Sequence, residues 1–134
     1  MSLSEFITKY RGQKVDFDNA CGAQCVDLFR QYCQDVLEIP RTESLGADGG
    51  AKNLWLNYNN MPLMQKYLVK VDGSFRPGDI LVWDGGLYGH VAILLAMLGS
   101  NFIVFEQDGY KQDGAKISLL KPSGLLGGLR KRYR

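Results

Sequence analysis

The chain has 134 residues, of which 46% are hydrophobic and 22% charged. This length and apolar content predict one globular domain, residues 1–134, with a single hydrophobic core. A net charge of +2 is too small to indicate nucleic-acid binding. No apolar stretch approaches the roughly 18 residues that cross a bilayer, and the N-terminus lacks the basic and apolar regions of a secretory signal.

Helical patterns occupy the first half of the chain. Ser2 and Glu5 have capping-box spacing, and apolar residues follow at helical intervals, which predicts a first helix. A second amphipathic helix is predicted over about residues 24–37. Residues 41–50 read as a loop, and residues 51–58 as a short helix.

The second half of the chain is typical of strands. Turn residues such as Arg-Pro-Gly-Asp at 76–79 separate most of them. The predicted strands are 67–71, 80–83, 90–97, 101–108, 117–120 and 125–132. Helices first and antiparallel strands afterwards indicate an α+β domain.

Cys25 is the cysteine best placed for nucleophilic chemistry. A free thiol has a pKa of about 8.5, and a helix N-terminus or an imidazolium stabilises its reactive thiolate. Cys25 lies where the second helix should begin, whereas Cys33 lies inside that helix on its apolar face. Cys21, in the preceding loop, is the weaker rival, and a buried structural thiol is the alternative for any of the three. His90 is the only histidine, so imidazole chemistry must use it.

The hairpin after His90 predicts a partner for its ring. If Leu98-Gly99-Ser100 forms a three-residue loop, Asp108 lies opposite His90 and Glu106 lies opposite Ala92. Glu106 is then diagonal to His90 at roughly 7–8 Å between backbones, within reach of a long side chain. A two-residue loop would shift the register and turn Glu106 to the other face of the sheet.

Three acids near Cys25 have the spacing of a calcium-binding loop. In a twelve-residue window, side chains at positions 1, 3 and 12 and backbone carbonyls at positions 5 and 7 supply the oxygen ligands that Ca²⁺ prefers. The candidate side chains are Asp16, Asp18 and Asp27, and the candidate carbonyls are those of Ala20 and Gly22. Cys21 in place of glycine at position 6 and the short Asp27 at position 12 depart from that pattern. The alternative is a set of solvated loop acids, with Asp27 in the first turn of the helix.

Four segments, in order along the chain, resemble a CHAP domain (cysteine, histidine-dependent amidohydrolase/peptidase). The likeness begins with Tyr-Arg-Gly-Gln-Lys-Val-Asp-Phe-Asp-Asn-Ala-Cys-Gly-Ala-Gln-Cys-Val-Asp-Leu at 10–28. It continues with Arg-Pro-Gly-Asp-Ile-Leu-Val-Trp at 76–83, Gly-His-Val-Ala-Ile at 89–93 and Phe-Glu-Gln-Asp-Gly at 105–109. The resemblance implies a papain-like fold with helices on a central antiparallel sheet of about six strands.

The resemblance also implies roles for residues. Cys25 would be the nucleophile, His90 the base and Glu106 the residue that orients it. Asp108 stands where the family often has asparagine, which leaves the role of this fourth position open. The backbone N–H of Cys25, helped by Gln24, would stabilise the oxyanion. Some CHAP domains have a similar acid pattern before the cysteine and bind calcium there, in a structural role.

Two aromatic side chains are candidates for contacts with an extended peptide. Trp83 and Tyr88 flank the Gly85-Gly86 loop, and packing in the core or at the rim is the alternative for both.

The implied activity is hydrolysis of amide or peptide bonds in bacterial peptidoglycan through an acyl-thioester. An NlpC/P60-like peptidase or acyltransferase is one alternative, and a non-catalytic cell-wall-binding or structural virion module is another. We expect a monomeric domain, stand-alone or part of a larger lysin or virion protein. Without a signal peptide, it would be made in the host cytoplasm, then released by a holin or carried on a phage particle to act at the cell wall.

Overall fold

Helices precede a six-stranded sheet in the computed structural model, which describes residues 1–19, 22–46, 49–108 and 110–133. The helices are α1 (Leu3–Tyr10), α2 (Cys25–Asp35), α3 (Asn53–Leu56) and α4 (Pro62–Tyr67). The strands are β1 (Leu68–Val71), β2 (Ile80–Trp83), β3 (His90–Leu98), β4 (Asn101–Glu106), β5 (Lys116–Leu120) and β6 (Leu125–Lys131). Short 3₁₀ turns lie at Thr42–Ser44 and Tyr58–Asn60.

The first helix begins at the predicted capping box. Ser2 Oγ accepts a hydrogen bond from the Glu5 N–H at 3.1 Å, and the Ser2 N–H donates to Glu5 Oε1 at 2.9 Å. These bonds satisfy N–H groups that a helix start leaves without partners. Phe6, on the buried face of α1, is fully inaccessible and meets the rings of Tyr32 and Phe105 edge-on. The capping box therefore fixes the helix, and Phe6 attaches it to α2 and β4.

The segment before the sheet contains more helix than predicted. Only Asn53–Leu56 of the predicted helix 51–58 is α-helical, and a 3₁₀ turn follows it. The helix α4 was not predicted, although Pro62 at its first position is a common start signal. Because α4 continues through Tyr67, β1 begins at Leu68, one residue later than expected.

The six strands form one antiparallel sheet in the order β1-β6-β2-β3-β4-β5. One face carries Val91, Ile93 and Phe105 and is covered by α1 and α2. The other face carries a smaller apolar cluster that includes Ala92 and Val104. Since side chains alternate along a strand, His90 and Glu106 belong to this second face, opposite the helices.

The hairpin between β3 and β4 reaches the predicted register by a different route. Leu98 pairs with Asn101, so the loop has two residues and not three. Leu94 pairs with Val104 and Ala96 with Ile103, which leaves Leu95 as an extra residue in a β-bulge. The bulge shifts the register by one, and Ile93 pairs with Phe105 as the three-residue loop would have required. Glu106 therefore faces the same side as His90.

The Arg-Pro-Gly-Asp turn is attached to β6 by a buried ion pair. Asp79 is 2% exposed and accepts hydrogen bonds from Arg130 Nε at 2.8 Å and Arg130 Nη2 at 2.7 Å. Its Oδ2 also accepts the Arg76 N–H at 2.8 Å. A buried carboxylate with these charge-assisted bonds orients the start of β2 against the end of β6.

No helix within the described ranges is long and apolar enough to span a bilayer.

Replacing Asp79 with Ala should lower the free energy of unfolding by about 2–4 kcal/mol, because three donors lose their acceptor. Urea denaturation followed by circular dichroism measures this loss. Asp72→Ala, which removes an exposed acid near the same turn, is the matched control and should stay within about 0.5 kcal/mol of wild type. Equal losses in the two variants would contradict the role given to Asp79.

Candidate active site

Cys25 is the first residue of α2. The helix starts here because Gln24 is extended, with φ −98° and ψ 163°, and its N–H donates to Asp27 Oδ2 at 2.8 Å. The Cys25 side chain is half-buried, whereas Cys33 is completely buried and its burial raises the pKa of its thiol. Cys33 is therefore an inert core thiol. Cys21, the weaker rival, lies outside the described residues.

His90 lies between Cys25 and Glu106. Its Nε2 donates to Glu106 Oε1 at 2.7 Å, and its ring also forms a side-chain hydrogen bond with Cys25. Because Glu106 occupies Nε2, Nδ1 is the nitrogen left for the sulfur. His90 is the first residue of β3 and Glu106 the last of β4, so the three groups meet at one end of the sheet, beside the N-terminus of α2.

Gly89 allows the chain to place His90 at this position. Its φ is +73°, and a Cβ there would lie 2.5 Å from Lys52 Cβ and 2.6 Å from the Trp83 carbonyl oxygen. Only glycine fits a backbone approach this close. The residue before His90 therefore has to be glycine for steric reasons.

The surroundings of His90 favour the imidazolium form. Burial of the ring lowers its pKa, but hydrogen bonds to Cys25 and Glu106, with the charges on both groups, outweigh burial and raise the pKa to about 10. The side chain keeps 26% of its surface exposed, so solvent reaches it. A protonated ring beside Cys25 and the Glu106 carboxylate is a group that can stabilise a negative charge on sulfur and later supply a proton.

Glu106 stays ionised although it is largely buried. Burial raises the pKa of this carboxyl, but hydrogen bonds from His90 and Ser118 and the charge of His90 bring it below its usual value. Ser118 lies on the neighbouring strand β5, where its position is diagonal to Glu106. Ser118 was not predicted as part of the site, because a serine within a strand pattern carries no signal of its partner across the sheet.

Asp108, predicted to lie opposite His90, caps a turn. The strand β4 ends at Glu106, two residues earlier than expected. Asp108 Oδ1 accepts the Tyr110 N–H at 2.8 Å, the usual behaviour of aspartate at a turn. The carboxylate that contacts His90 is that of Glu106.

The three acids before Cys25 form a cluster that could hold a cation. One carboxylate oxygen from each of Asp16, Asp18 and Asp27 lies within 4.8 Å of the others. Asp27 is 2% exposed, and Asp16 Oδ1 is buried without a hydrogen-bond partner. An orphaned carboxylate oxygen inside an acidic cluster fits a hard divalent cation better than it fits a set of solvated acids.

The charges within this cluster work against each other. Burial raises the pKa of Asp27 to about 6; its bond from the Gln24 backbone opposes the rise, and the charges of Asp18 and Asp16 add to it. Arg30 Nη1 lies 3.1 Å from Asp18 Oδ2 and offsets part of the repulsion. Of the two predicted carbonyl ligands, Ala20 lies outside the described residues, and Gly22 is exposed with a φ of +74°.

The CHAP domain family model matches residues 14–108, more than half of the chain. The chain belongs to the CHAP domain family. The matched region contains the Cys25 helix start, His90, Glu106 and the acidic cluster. No match was found among curated protein sequences.

Solved structures share the fold of this CHAP domain. A wild-type endolysin, LysIME-EF1, superposes with a TM-score of 0.71 at 20% identity, covering 100% of this chain and 66% of that one. Ly7917 matches with a TM-score of 0.65 at 18% identity, covering 94% of this chain and 60% of that one. A structure of Ly7917 with the hydrolyzing product of MDP gives the same values. The α+β, papain-like fold expected from the sequence is confirmed.

Trp83, a candidate for substrate contact, is positioned behind the histidine in this CHAP domain. It is 6% exposed, its Nε1 donates to the Lys121 carbonyl at 3.0 Å, and its ring centre lies 6.4 Å from that of His90. The register explains this, because Trp83 pairs with His90 across β2 and β3 on the face of the smaller cluster. Trp83 therefore supports the ring of His90, while Tyr88, at 51% exposure, is accessible to a ligand.

Replacing Glu106 with Gln should lower the pKa of His90 from about 10 towards its ordinary 6.5, because the negative charge is lost and the charge-assisted hydrogen bond becomes a neutral one. NMR titration measures this directly, since His90 is the only histidine. In the wild type, the stability that His90 contributes is complete below pH 6.5 and is lost as the pH rises through about 10. The variant should lose that contribution at lower pH.

Asp108→Asn is the control for this titration, because it removes the same charge two residues away and keeps an acceptor for the turn. Its His90 midpoint should stay close to that of wild type. A wild-type midpoint in Glu106→Gln would contradict the assignment of Glu106 as the partner of the ring.

Proposed function

We propose that this CHAP domain is a cysteine hydrolase that cleaves amide or peptide bonds of bacterial peptidoglycan. The observation that carries the proposal is the chain of contacts from Cys25 to His90 to Glu106. It combines a half-buried thiol at a helix N-terminus with a protonated imidazole and a buried carboxylate, which is the arrangement that nucleophilic cysteine catalysis requires.

The proposed mechanism is acyl transfer through a thioester. The Cys25 thiolate attacks the carbonyl carbon of the scissile amide, and the charge passes to the carbonyl oxygen. The Cys25 N–H, at the first position of α2, would donate to that oxygen, with the side chain of Gln24 as a second donor.

Collapse of this intermediate expels the amine, which takes the proton from His90. The neutral ring then removes a proton from water, and the resulting hydroxide attacks the thioester. This step releases the acid and restores the thiolate–imidazolium pair. Glu106 remains ionised throughout and orients Nε2.

Three observations support peptidoglycan as the substrate. The chain belongs to the CHAP family, and one similar structure is that of an endolysin. Ly7917 was solved with the hydrolyzing product of MDP. This chain spans 66% and 60% of those two proteins, so the activity of a complete lysin is part of the proposal. The proposal includes action at the cell wall after release by a holin or transport on a phage particle.

Replacing Cys25 with Ser should reduce peptidoglycan hydrolysis by at least about 10⁴-fold, because the hydroxyl is a far weaker nucleophile. Turbidity of purified cell walls gives the rate, and mass spectrometry of the released muropeptides identifies the bond. Cys33→Ala, which removes the buried thiol, is the control and should retain activity.

Circular dichroism should show that Cys25→Ser is folded. Wall lysis by that folded variant would refute the thioester mechanism and favour a non-catalytic contribution. Products in which the acyl group has moved to an amine, with no free acid formed, would favour an acyltransferase.

The acidic cluster completes the proposal as a structural calcium site. Asp16, Asp18 and Asp27 would supply carboxylate ligands, and the orphaned Asp16 Oδ1 is the atom that most needs the cation. Bound Ca²⁺ would neutralise the repulsion among these acids and organise the loop before Cys25. The hydrolytic steps themselves use only protein groups and water.

Addition of CaCl₂ should raise the Tm by several degrees, and EGTA should reverse the increase, because the cation binds only the folded chain. Asp27→Asn should lose most of this response. Asp72→Asn, which removes an exposed acid outside the cluster, should keep it. An identical Tm in CaCl₂ and EGTA would remove calcium from the proposal without affecting Cys25.

A further inference from the structure

Gln107 is a completely buried polar residue next to Glu106. A buried amide is costly unless its donors and acceptor are satisfied. Gln107 Oε1 accepts the Val15 N–H at 2.8 Å, and its Nε2 donates to the Val15 carbonyl at 2.7 Å. The same Nε2 donates to the Gln24 carbonyl at 2.8 Å. Both hydrogens of the amide are used, and both go to the segment that leads into Cys25.

A second glutamine contacts this segment in the same way. Gln112 Oε1 accepts the Ala23 N–H at 3.1 Å, and its Nε2 donates to the Ala23 carbonyl at 2.9 Å. Its own backbone is left-handed, with φ 53°, a conformation that non-glycine residues adopt at a cost. Two side chains from the connection after β4 therefore bond to the backbone at the two ends of residues 15–24.

Glu106 and Gln107 are consecutive, yet they serve opposite sides of the site. Glu106 contacts His90 on the face away from the helices, and Gln107 contacts the segment before α2. A displacement of this dipeptide would move the base and the nucleophile together. If only the Gln107 hydrogen bonds were lost, Cys25 could move relative to His90.

We propose that Gln107 is a positioning residue that sets the placement of Cys25 relative to His90 by anchoring the Gln24 carbonyl. The proposal rests on the proposed function. Gln24 is covalently bonded to Cys25 and is the N-cap of its helix, so its carbonyl is one residue from the nucleophile. Errors of about 1 Å in such a contact cost roughly 100-fold in rate.

The test compares Gln107→Met with Gln65→Met. Both replace an amide by an apolar side chain of similar length, and Gln65 also donates to a backbone carbonyl, that of Tyr58, at 2.8 Å. Gln65 lies on α4, away from the site. We expect Gln107→Met to lower kcat roughly 10- to 100-fold with little change in KM. Gln65→Met should lose stability and keep kcat.

A readout independent of hydrolysis separates this proposal from the proposed function. Because His90 is the only histidine, its ring signals report the contact with Cys25 without ambiguity. Cys25→Ala gives the reference spectrum for a ring without the sulfur. Signals of Gln107→Met should move towards this reference, and those of Gln65→Met should match wild type. This comparison holds even if peptidoglycan is not the substrate.

A folded Gln107→Met with the wild-type ring spectrum would overturn the proposal, as would a fall in kcat no larger than that of Gln65→Met. If Gln107→Met does not fold, Gln107→Asn provides the second test, because its amide is one methylene shorter and cannot hold the Val15 backbone and the Gln24 carbonyl at once. It should shift the ring signals in the same direction by a smaller amount. Unchanged ring signals in that variant would also overturn the proposal.

Discussion

The 2.7 Å hydrogen bond between His90 Nε2 and Glu106 Oε1 is the interaction on which the rest of the site depends. An ionised carboxylate with 9% of its side chain exposed needs strong donors, because burial without them costs several kcal/mol. The imidazolium is the donor that meets this need while keeping a second N–H. Cys25 is the other side chain that acts on this ring, so Glu106, on a separate strand, fixes the group that the sulfur meets.

The nucleophile and its two partner side chains come from opposite faces of the sheet. The helix bearing Cys25 covers one face, whereas His90 and Glu106 belong to the other. They meet because β3 begins and β4 ends at the same end of the sheet, beside the N-terminus of α2. The proposed division of work between Glu106 and Gln107 takes place where the strand ends.

Local patterns predicted much of this arrangement, and long-range pairing accounts for the rest. The capping box, the helix starting near Cys25 and the strand starting at His90 depend on residues a few positions apart, which a sequence displays. Gln107 bonds to residues 92 and 83 positions earlier, and no periodicity records such a partner. Asp108 was predicted to lie in the sheet, but β4 ends two residues earlier. Hydrogen bonds of the following turn compete with strand pairing at this point, here the bond from the Tyr110 N–H to Asp108. The predicted pairing of β3 with β4 near Glu106 was right, but its cause was not predicted. The extra residue lies in the strand, as the bulged Leu95, and not in the loop.

The bulge at Leu95 separates the loop end of the β3–β4 hairpin from the end that carries His90 and Glu106. Pairings beyond Leu95 follow one register and pairings below it another, and only the lower one orients Glu106. The exposed Gly99-Ser100 tip can therefore be exchanged for longer connections of the same parity without rotating the carboxylate. Deleting Leu95 alone would turn that carboxylate towards the helices while every helix and turn stayed in place. In engineering terms, the tip is a permissive insertion point, and the single bulged leucine is the residue to leave unaltered.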